Sequence, residues 1–408
     1  MEGAKFDPGE PADVLILGAS FTGIELLYQL RRTRGGERLK VVVVDRQAEH
    51  GYIPLVHERL VGRVGEREAT LKTAECVERD PLARFVEAEI TGLDPERRAV
   101  SLADGRTLSA RFVVVCLGST IDPPPAIPGR ERLHAIKLAA PYADARRDLE
   151  ALLRAPEGAA PPTVTVIGGG ITGVEMAGEL VHLAKARPAG WRAPKVTLVH
   201  GGARLLPGFR PRIGRRAARH LEAQGVTLLL QHRLGAAHEG HLEVVSAEGT
   251  SRQVPSDMTF WAGGVRPAPI LERLGLPRTD AGWLAVGPTL QCFPSAAPSR
   301  PELFAGGDAV RVQGGDGEWP TMQRAIECLW QAKVLARSLV ALAGEPADYP
   351  RGVPPLTPHT LTRDFFHGIS LGGASLVVYG RLMIDWSALN TWFRRFLMRH
   401  YFLRYGQR

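Results

Sequence analysis

Gly168, Gly170 and Gly173 stand in the spacing G-x-G-x-x-G within VTVIGGGITGVEMAGEL, residues 164–180. Each glycine answers a different demand. The first allows a tight turn out of a strand, the second lets the backbone approach a pyrophosphate, and the third lets helix and strand pack closely. Free N–H groups and the dipole at the helix N-terminus then favour an anion. A near match, VLILGASFTGIELLYQL at residues 14–30, stands 150 positions earlier, with Gly18, Gly23 and Ser20 in the middle place. The serine adds bulk there but offers a hydroxyl in return. Asp45 ends the apolar run LKVVVVD 22 residues beyond Gly23, where an acid either takes a ribose hydroxyl pair or caps a strand end. The matching strand KVTLVH ends in His200, 27 residues after Gly173, with Arg204 following. A carboxylate at that end would accept from ribose hydroxyls and repel a 2′-phosphate. A histidine removes the repulsion and leaves Arg204 to pair with the phosphate, unless His200 is simply a solvated strand end. Glu175, two residues after the last glycine, is either a proton relay near the reacting end of a bound nucleotide or a helix-start carboxylate.

The elements that must position these groups are legible around them. An apolar strand precedes each glycine turn and a helical segment follows it, which is the context the spacing requires. Two such folds imply two dinucleotides. At 408 residues the chain has room for two or three buried cores, and 44% hydrophobic with 23% charged residues is a globular composition. No apolar run is long enough to span a bilayer, and MEGAKFDPGE lacks the pattern of a signal peptide, so a cytoplasmic location is expected. Cys76, Cys116, Cys292 and Cys328 stand far apart, which argues against a disulfide framework, a zinc site and a paired redox disulfide; no metal site is expected. Cys328 is either a core thiol or a redox group beside the cofactor. Half of the net +8 lies in residues 385–408, where five arginines face one aspartate.

Further segments carry a family resemblance. RFVVVCLGS (residues 111–119), DMTFWAGGVRP (257–267) and ELFAGGDAV (302–310) follow the two turns in order. With them the chain resembles flavoproteins of the pyridine nucleotide–disulfide oxidoreductase superfamily. YIPLVHERLVG, AIKLAAPYADARRDLEALL, GVEMAGEL and PTMQRAIE look most like type II NADH:quinone oxidoreductases and the ferroptosis-suppressor and apoptosis-inducing-factor-like quinone reductases. The resemblance implies a doubly wound α/β fold: a discontinuous FAD domain at 12–121 and 289–345, an inserted NAD(P)H domain at 122–288, and a C-terminal region at 346–408. It also implies non-covalent FAD, with NAD(P)H as electron donor and a quinone as acceptor. Gly18, Ser20, Phe21, Thr22, Gly23, Asp45, Arg46, Gly118, Gly307 and Asp308 fall on the FAD side. Gly168, Gly170, Ile171, Thr172, Gly173, Glu175, His200, Arg204 and Gly264 fall on the nicotinamide side. Glu175, Gln323 and Glu327 are the candidate catalytic residues. Gln323 and Ala325 match the family's A-Q-x-A-x-Q segment, whereas Met322 and Glu327 depart from it.

The last segment, MIDWSALNTWFRRFLMRHYFLRYGQR, places Trp386, Leu389, Phe393, Phe396, Leu397 and Tyr401 near one helical face, with the arginines mainly elsewhere. A basic amphipathic helix with Trp and Phe lies in a membrane interface. That predicts a protein peripheral to the inner face of the cell membrane, unless the helix packs on its own core or forms a homodimer. Nucleic acid is not expected as a partner. A soluble reductase of a small redox protein, and a flavin-holding NAD(P)H sensor without turnover, are the other two readings.

Overall fold

The computed structural model describes residues 11–137, 139–154, 160–185, 190–292, 302–314, 317–320, 324–347, 349, 352–361, 366–385 and 387–406. Runs of β-branched residues, buried on both faces, make the parallel central strands of two sheets, the first extended by the antiparallel strands Ala99–Leu102 and Ile90–Asp94. The chain opens with β1 (Ala12–Leu17), helix α1 (Phe21–Arg32) and β2 (Val41–Asp45). The short helix α2 (Val56–Leu60), β3 (Ala83–Glu87) and β4 (Thr107–Val115) follow. Next come β5 (Thr163–Ile167), α3 (Ile171–Lys185), β6 (Lys195–His200), β7 (Thr227–Leu230), β8 (His232–His238) and β9 (Met258–Trp261). The strand β10 (Leu303–Ala305), helix α4 (Ala325–Ala343), hairpin strands β11 (His367–Ser370) and β12 (Ser375–Tyr379), and helix α5 (Ser387–Arg404) end the described chain.

In the first sheet β3, β2, β1 and β4 lie side by side in parallel, and β10 adds to β4 in parallel from nearly 200 residues away (Leu303 beside Val113). The second sheet runs from the strand Leu133–His134 through β9, β5 and β6 to β7, all parallel. It is complete within residues 133–261, whereas the first sheet needs strands from both sides of it. The chain therefore has two doubly wound α/β units, the first discontinuous in sequence.

The terminal region is more than a helix. The strands β11 and β12 pair antiparallel, with Leu382–Ile384 as a third strand. Helix α5 carries apolar residues on two opposed faces, which corrects the single face expected from sequence. Met398, Tyr401, Phe402 and Tyr405 are buried in the first core, and Tyr401 packs on Phe21 and Tyr52 with ring centroids 5.1 and 5.2 Å apart. Leu389, Trp392, Phe396, Leu397 and Leu403 are exposed instead, and Phe393 is half-buried. Tyr401 thus belongs to the inner face, and Trp386 lies outside the described residues. The arginines are divided as well. Arg394 is buried, Arg404 pairs with the buried Glu25, and Arg395 and Arg399 flank the outer face. Among the described residues no helix is long and apolar enough to cross a membrane.

Candidate functional site

The two glycine turns are built alike. Each follows the end of a parallel strand, where open α/β sheets place ligands. Gly18 has φ 100° and a Cβ there would stand 2.5 Å from the Cys116 carbonyl oxygen; Gly168 has φ 123° and would collide with the Ala262 carbonyl. A Cβ on Gly23 would strike the Gly18 oxygen, and one on Gly173 the Gly168 oxygen. The middle position differs. Space around Gly170 is open to 4 Å, as it is around Gly118 and Gly264. The first turns of α1 and α3 hold no acidic residue, and Ser20 makes no side-chain cap on α1. Both helix N-termini therefore leave N–H groups and positive dipole ends for an anion. These cradles fit the pyrophosphates of two dinucleotides.

The strand ends repeat the symmetry. Asp45 accepts the N–H of Ala19 at 2.7 Å, and His200 Nδ1 accepts that of Gly169 at 3.2 Å, one residue past the first glycine in each turn. His200 thus occupies the place of the acid. Burial pushes its pKa down, and with Nδ1 as acceptor the neutral ring carries its proton on Nε2. Burial likewise raises the pKa of Asp45. Arg46 follows Asp45 on the exposed side, and Phe21, Thr22, Ile171 and Thr172 open the two helices. Arg204 departs from expectation: its guanidinium donates to the carbonyls of Leu206, Pro207 and Phe209, holding its own loop.

Asp308 lies beside Gly307 at the end of β10. Its Oδ2 meets Lys137 Nζ and Ser119 Oγ, both at 3.1 Å, and Lys137 also contacts Ser119. Gly307 has φ 77°, and its N–H donates to Gln331 Oε1 at 2.6 Å. Lys137, Ser119 and Gln331 were not among the residues expected from sequence. Each comes from a separate segment, and the register of Gln331, one helical turn beyond Glu327, was the available signal. Glu327 is buried and pairs with His359. Gln323 lies outside the described residues. The Cys328 thiol is buried and its pKa is pushed up, which suits a core thiol rather than a nucleophile. The four cysteines are free.

Glu175 lies one turn inside α3 with its carboxylate turned toward the terminal region. It accepts from the Ser370 N–H at 3.1 Å, and His57 Nδ1 stands 3.3 Å away and Arg394 3.6 Å away. Arg394 also meets His57 Nε2 at 2.7 Å and Glu58 at 3.1 Å, while Arg63 binds Glu179 through both oxygens at 2.9 and 2.7 Å. This buried cluster joins α2, α3, β11 and α5. No local pattern announces it, because Arg394 and His57 are 337 residues apart. His57, Glu58 and Glu179 bring ligand atoms within 4.8 Å of one another, but Arg394 and Arg63 already neutralise the two carboxylates. Burial raises the Glu175 pKa to about 8, against the pull of Arg394. Burial, with Arg394 and Arg63 nearby, holds His57 neutral.

A stability test follows from Glu175. The folded chain keeps its proton up to about pH 8, whereas the unfolded chain releases it near 4.5, so this group's contribution to stability falls as pH rises through that window. Glu175→Gln is expected to flatten the decline in Tm across it. Parallel wild-type and variant curves would assign the decline to another group.

Comparisons with known proteins agree with this geometry. Residues 12–332 match the family described as pyridine nucleotide-disulphide oxidoreductase. The chain is 24% identical over 380 residues to the type II NADH:quinone oxidoreductase NdhA of Mycobacterium tuberculosis, covering 83% of this chain and 76% of that one. It is 25% identical over 278 residues to the type II NADH:quinone oxidoreductase of Staphylococcus aureus, covering 64% and 66%. Among solved structures, NDH2 from Plasmodium falciparum in complex with NADH superposes with TM-score 0.80 at 13% identity, over 97% of this chain and 98% of that one. The sulfide:quinone oxidoreductase of Aquifex aeolicus gives TM-score 0.79 at 14% identity, over 97% and 91%.

Proposed function

Because the chain belongs to the pyridine nucleotide-disulphide oxidoreductase family, we propose that it is a peripheral, FAD-dependent NAD(P)H:quinone oxidoreductase. The observation that carries the proposal is the duplicated phosphate cradle, in a chain whose relatives include type II NADH:quinone oxidoreductases. FAD, when bound, would supply the redox chemistry that links hydride transfer from NAD(P)H to two-electron reduction of a quinone. The chain's residues bind and orient. The Gly18 turn and the α1 N-terminus would hold one pyrophosphate, and Asp45, which accepts the Ala19 N–H, would also accept from a ribose hydroxyl. Asp308, with Lys137 and Ser119 fixing its carboxylate, faces the middle of the same cofactor. The Gly168 turn and α3 hold the nicotinamide nucleotide. Glu175 stores a proton within α3, and by the family resemblance Glu327 belongs to the segment beside the ring.

The exposed face of α5 supports a membrane surface as the place where quinone arrives. Trp392 and Phe396 stack at 5.4 Å, and Arg395 and Arg399 stand beside them to meet anionic headgroups. On this reading the protein sits on the inner face of the cell membrane.

An absorption spectrum tests the core of the proposal. The purified protein should show bound flavin, and Asp308→Ala should lower its occupancy severalfold. A colourless wild-type protein that takes up no added FAD overturns it. Rapid turnover with a short-chain quinone separates the enzyme from a sensor.

A further inference from the structure

The end of β6 holds more than a substitute for an acid. Gly201 and Gly202 follow His200, and two side chains close on this pair. A Cβ on Gly202 would stand 2.8 Å from His200 Nε2, and one on Gly201 would stand 3.0 Å from Arg233 Cγ and 3.1 Å from its Nε. His200 Nε2 is buried and makes no hydrogen bond of normal geometry; the Arg204 backbone favours the ring's proton without satisfying it, so the N–H remains open to a better acceptor. Arg233 comes from β8, is exposed, and makes no ion pair among the described residues. Arg204, the cation closer in sequence, is committed to three carbonyls. The corner therefore combines an N–H without a well-formed bond, a guanidinium with no ion pair among the described residues, and two glycines that keep side chains away.

We infer that this corner binds a phosphate monoester, the 2′-phosphate of NADPH, and that Arg233 is the specificity-determining residue. The inference rests on the nucleotide site proposed above. The neutral His200 offers a ribose hydroxyl no acceptor once Nδ1 is occupied by Gly169, only an N–H that a hydroxyl oxygen accepts more weakly than a charged phosphate oxygen does. A phosphate of charge near −2 accepts a hydrogen bond from Nε2–H and pairs with the planar guanidinium through two oxygens. The antiparallel strand β8 carries Arg233 to the site from 33 positions beyond His200, outside the loop where sequence directs attention.

The test is binding of adenosine 2′,5′-bisphosphate against adenosine 5′-monophosphate to the full chain by calorimetry. The wild type should bind the bisphosphate at least about tenfold tighter, with the advantage shrinking as salt rises. Arg233→Gln should bring the ratio to within about threefold while leaving the monophosphate unchanged, since the side chain is exposed and supports no core. Equal binding in the wild type, or an unchanged ratio in the variant, overturns the inference and leaves the nucleotide site standing. Failure of both nucleotides to bind overturns the site and the inference together.

Discussion

Gly170→Asp should leave the protein folded and yellow while closing its second nucleotide site. Nothing lies within 4 Å of a Cβ at Gly170, and its φ is not in the left-handed region, so the backbone accepts a side chain. Aspartate is a favoured residue at a helix N-terminus, and its carboxylate would cap the free N–H groups of α3. The melting temperature should therefore hold or rise slightly. The same carboxylate would stand where a pyrophosphate must come, and two like charges about 4 Å apart at an effective dielectric near 20 repel by about 4 kcal/mol. Anaerobic reduction of the flavin should then need at least about a hundredfold more NADH. The flavin spectrum is the internal control, because the Gly18 turn is untouched. Reduction at the wild-type NADH concentration would mean that the nucleotide does not sit on this turn.

The second large effect is expected on the outer face of α5. Trp392 is 60% exposed and Phe396 48% exposed, while the inner face is fully engaged with the core. Aromatic side chains bury about 150–250 Å² each, so the exposed share of the pair is roughly 200 Å², or about 5 kcal/mol at about 25 cal/mol per Å². Arg399 adds about 1 kcal/mol near an anionic surface, and Arg395, which already stands 3.8 Å from Glu58, adds less. Trp392→Ser with Phe396→Ser should weaken binding to anionic vesicles by more than about a hundredfold. It should also depress turnover with a long-chain quinone in vesicles and spare a water-soluble short-chain quinone. Unchanged sedimentation with vesicles, together with a smaller mass on a sizing column, would assign this face to a second copy of the chain. Deleting the helix is a poorer experiment. It strips Arg394 from Glu58 and Glu175, and Arg404 and Tyr405 from Glu25. Removing one partner of a buried pair costs about 3–5 kcal/mol.

What could be read in the sequence was local. The glycine spacing and the β-branched runs beside it act within a dozen residues, and the structure forms both strand–turn–helix units with the close approaches that spacing demands. The return of the chain to the first sheet was expected only from the family resemblance of ELFAGGDAV, since nothing local in that segment says which sheet it joins. The side of α5 that each aromatic faces was not. Tyr401 and Phe396 lie on opposite sides, and only packing against Phe21 and Tyr52 decides which is inner. Arg204 misled for a similar reason: charge and proximity along the chain said nothing of the carbonyls that claim it. The His57–Glu175–Arg394 cluster had no local pattern at all.

The clasp on Glu25 bears on how the molecule is made. Glu25 is fully buried in the first helix, and Tyr405 Oη reaches it at 2.6 Å from 380 positions away. Strand β4 likewise waits for β10. At a synthesis rate of about 5–20 residues per second, roughly 20–75 seconds separate Glu25 from the partners that satisfy it. The sheet within residues 133–261 waits roughly 6–25 seconds at the same rate, a third as long, since its first and last strands stand closer in sequence. A ribosome therefore finishes the middle of this molecule before its beginning.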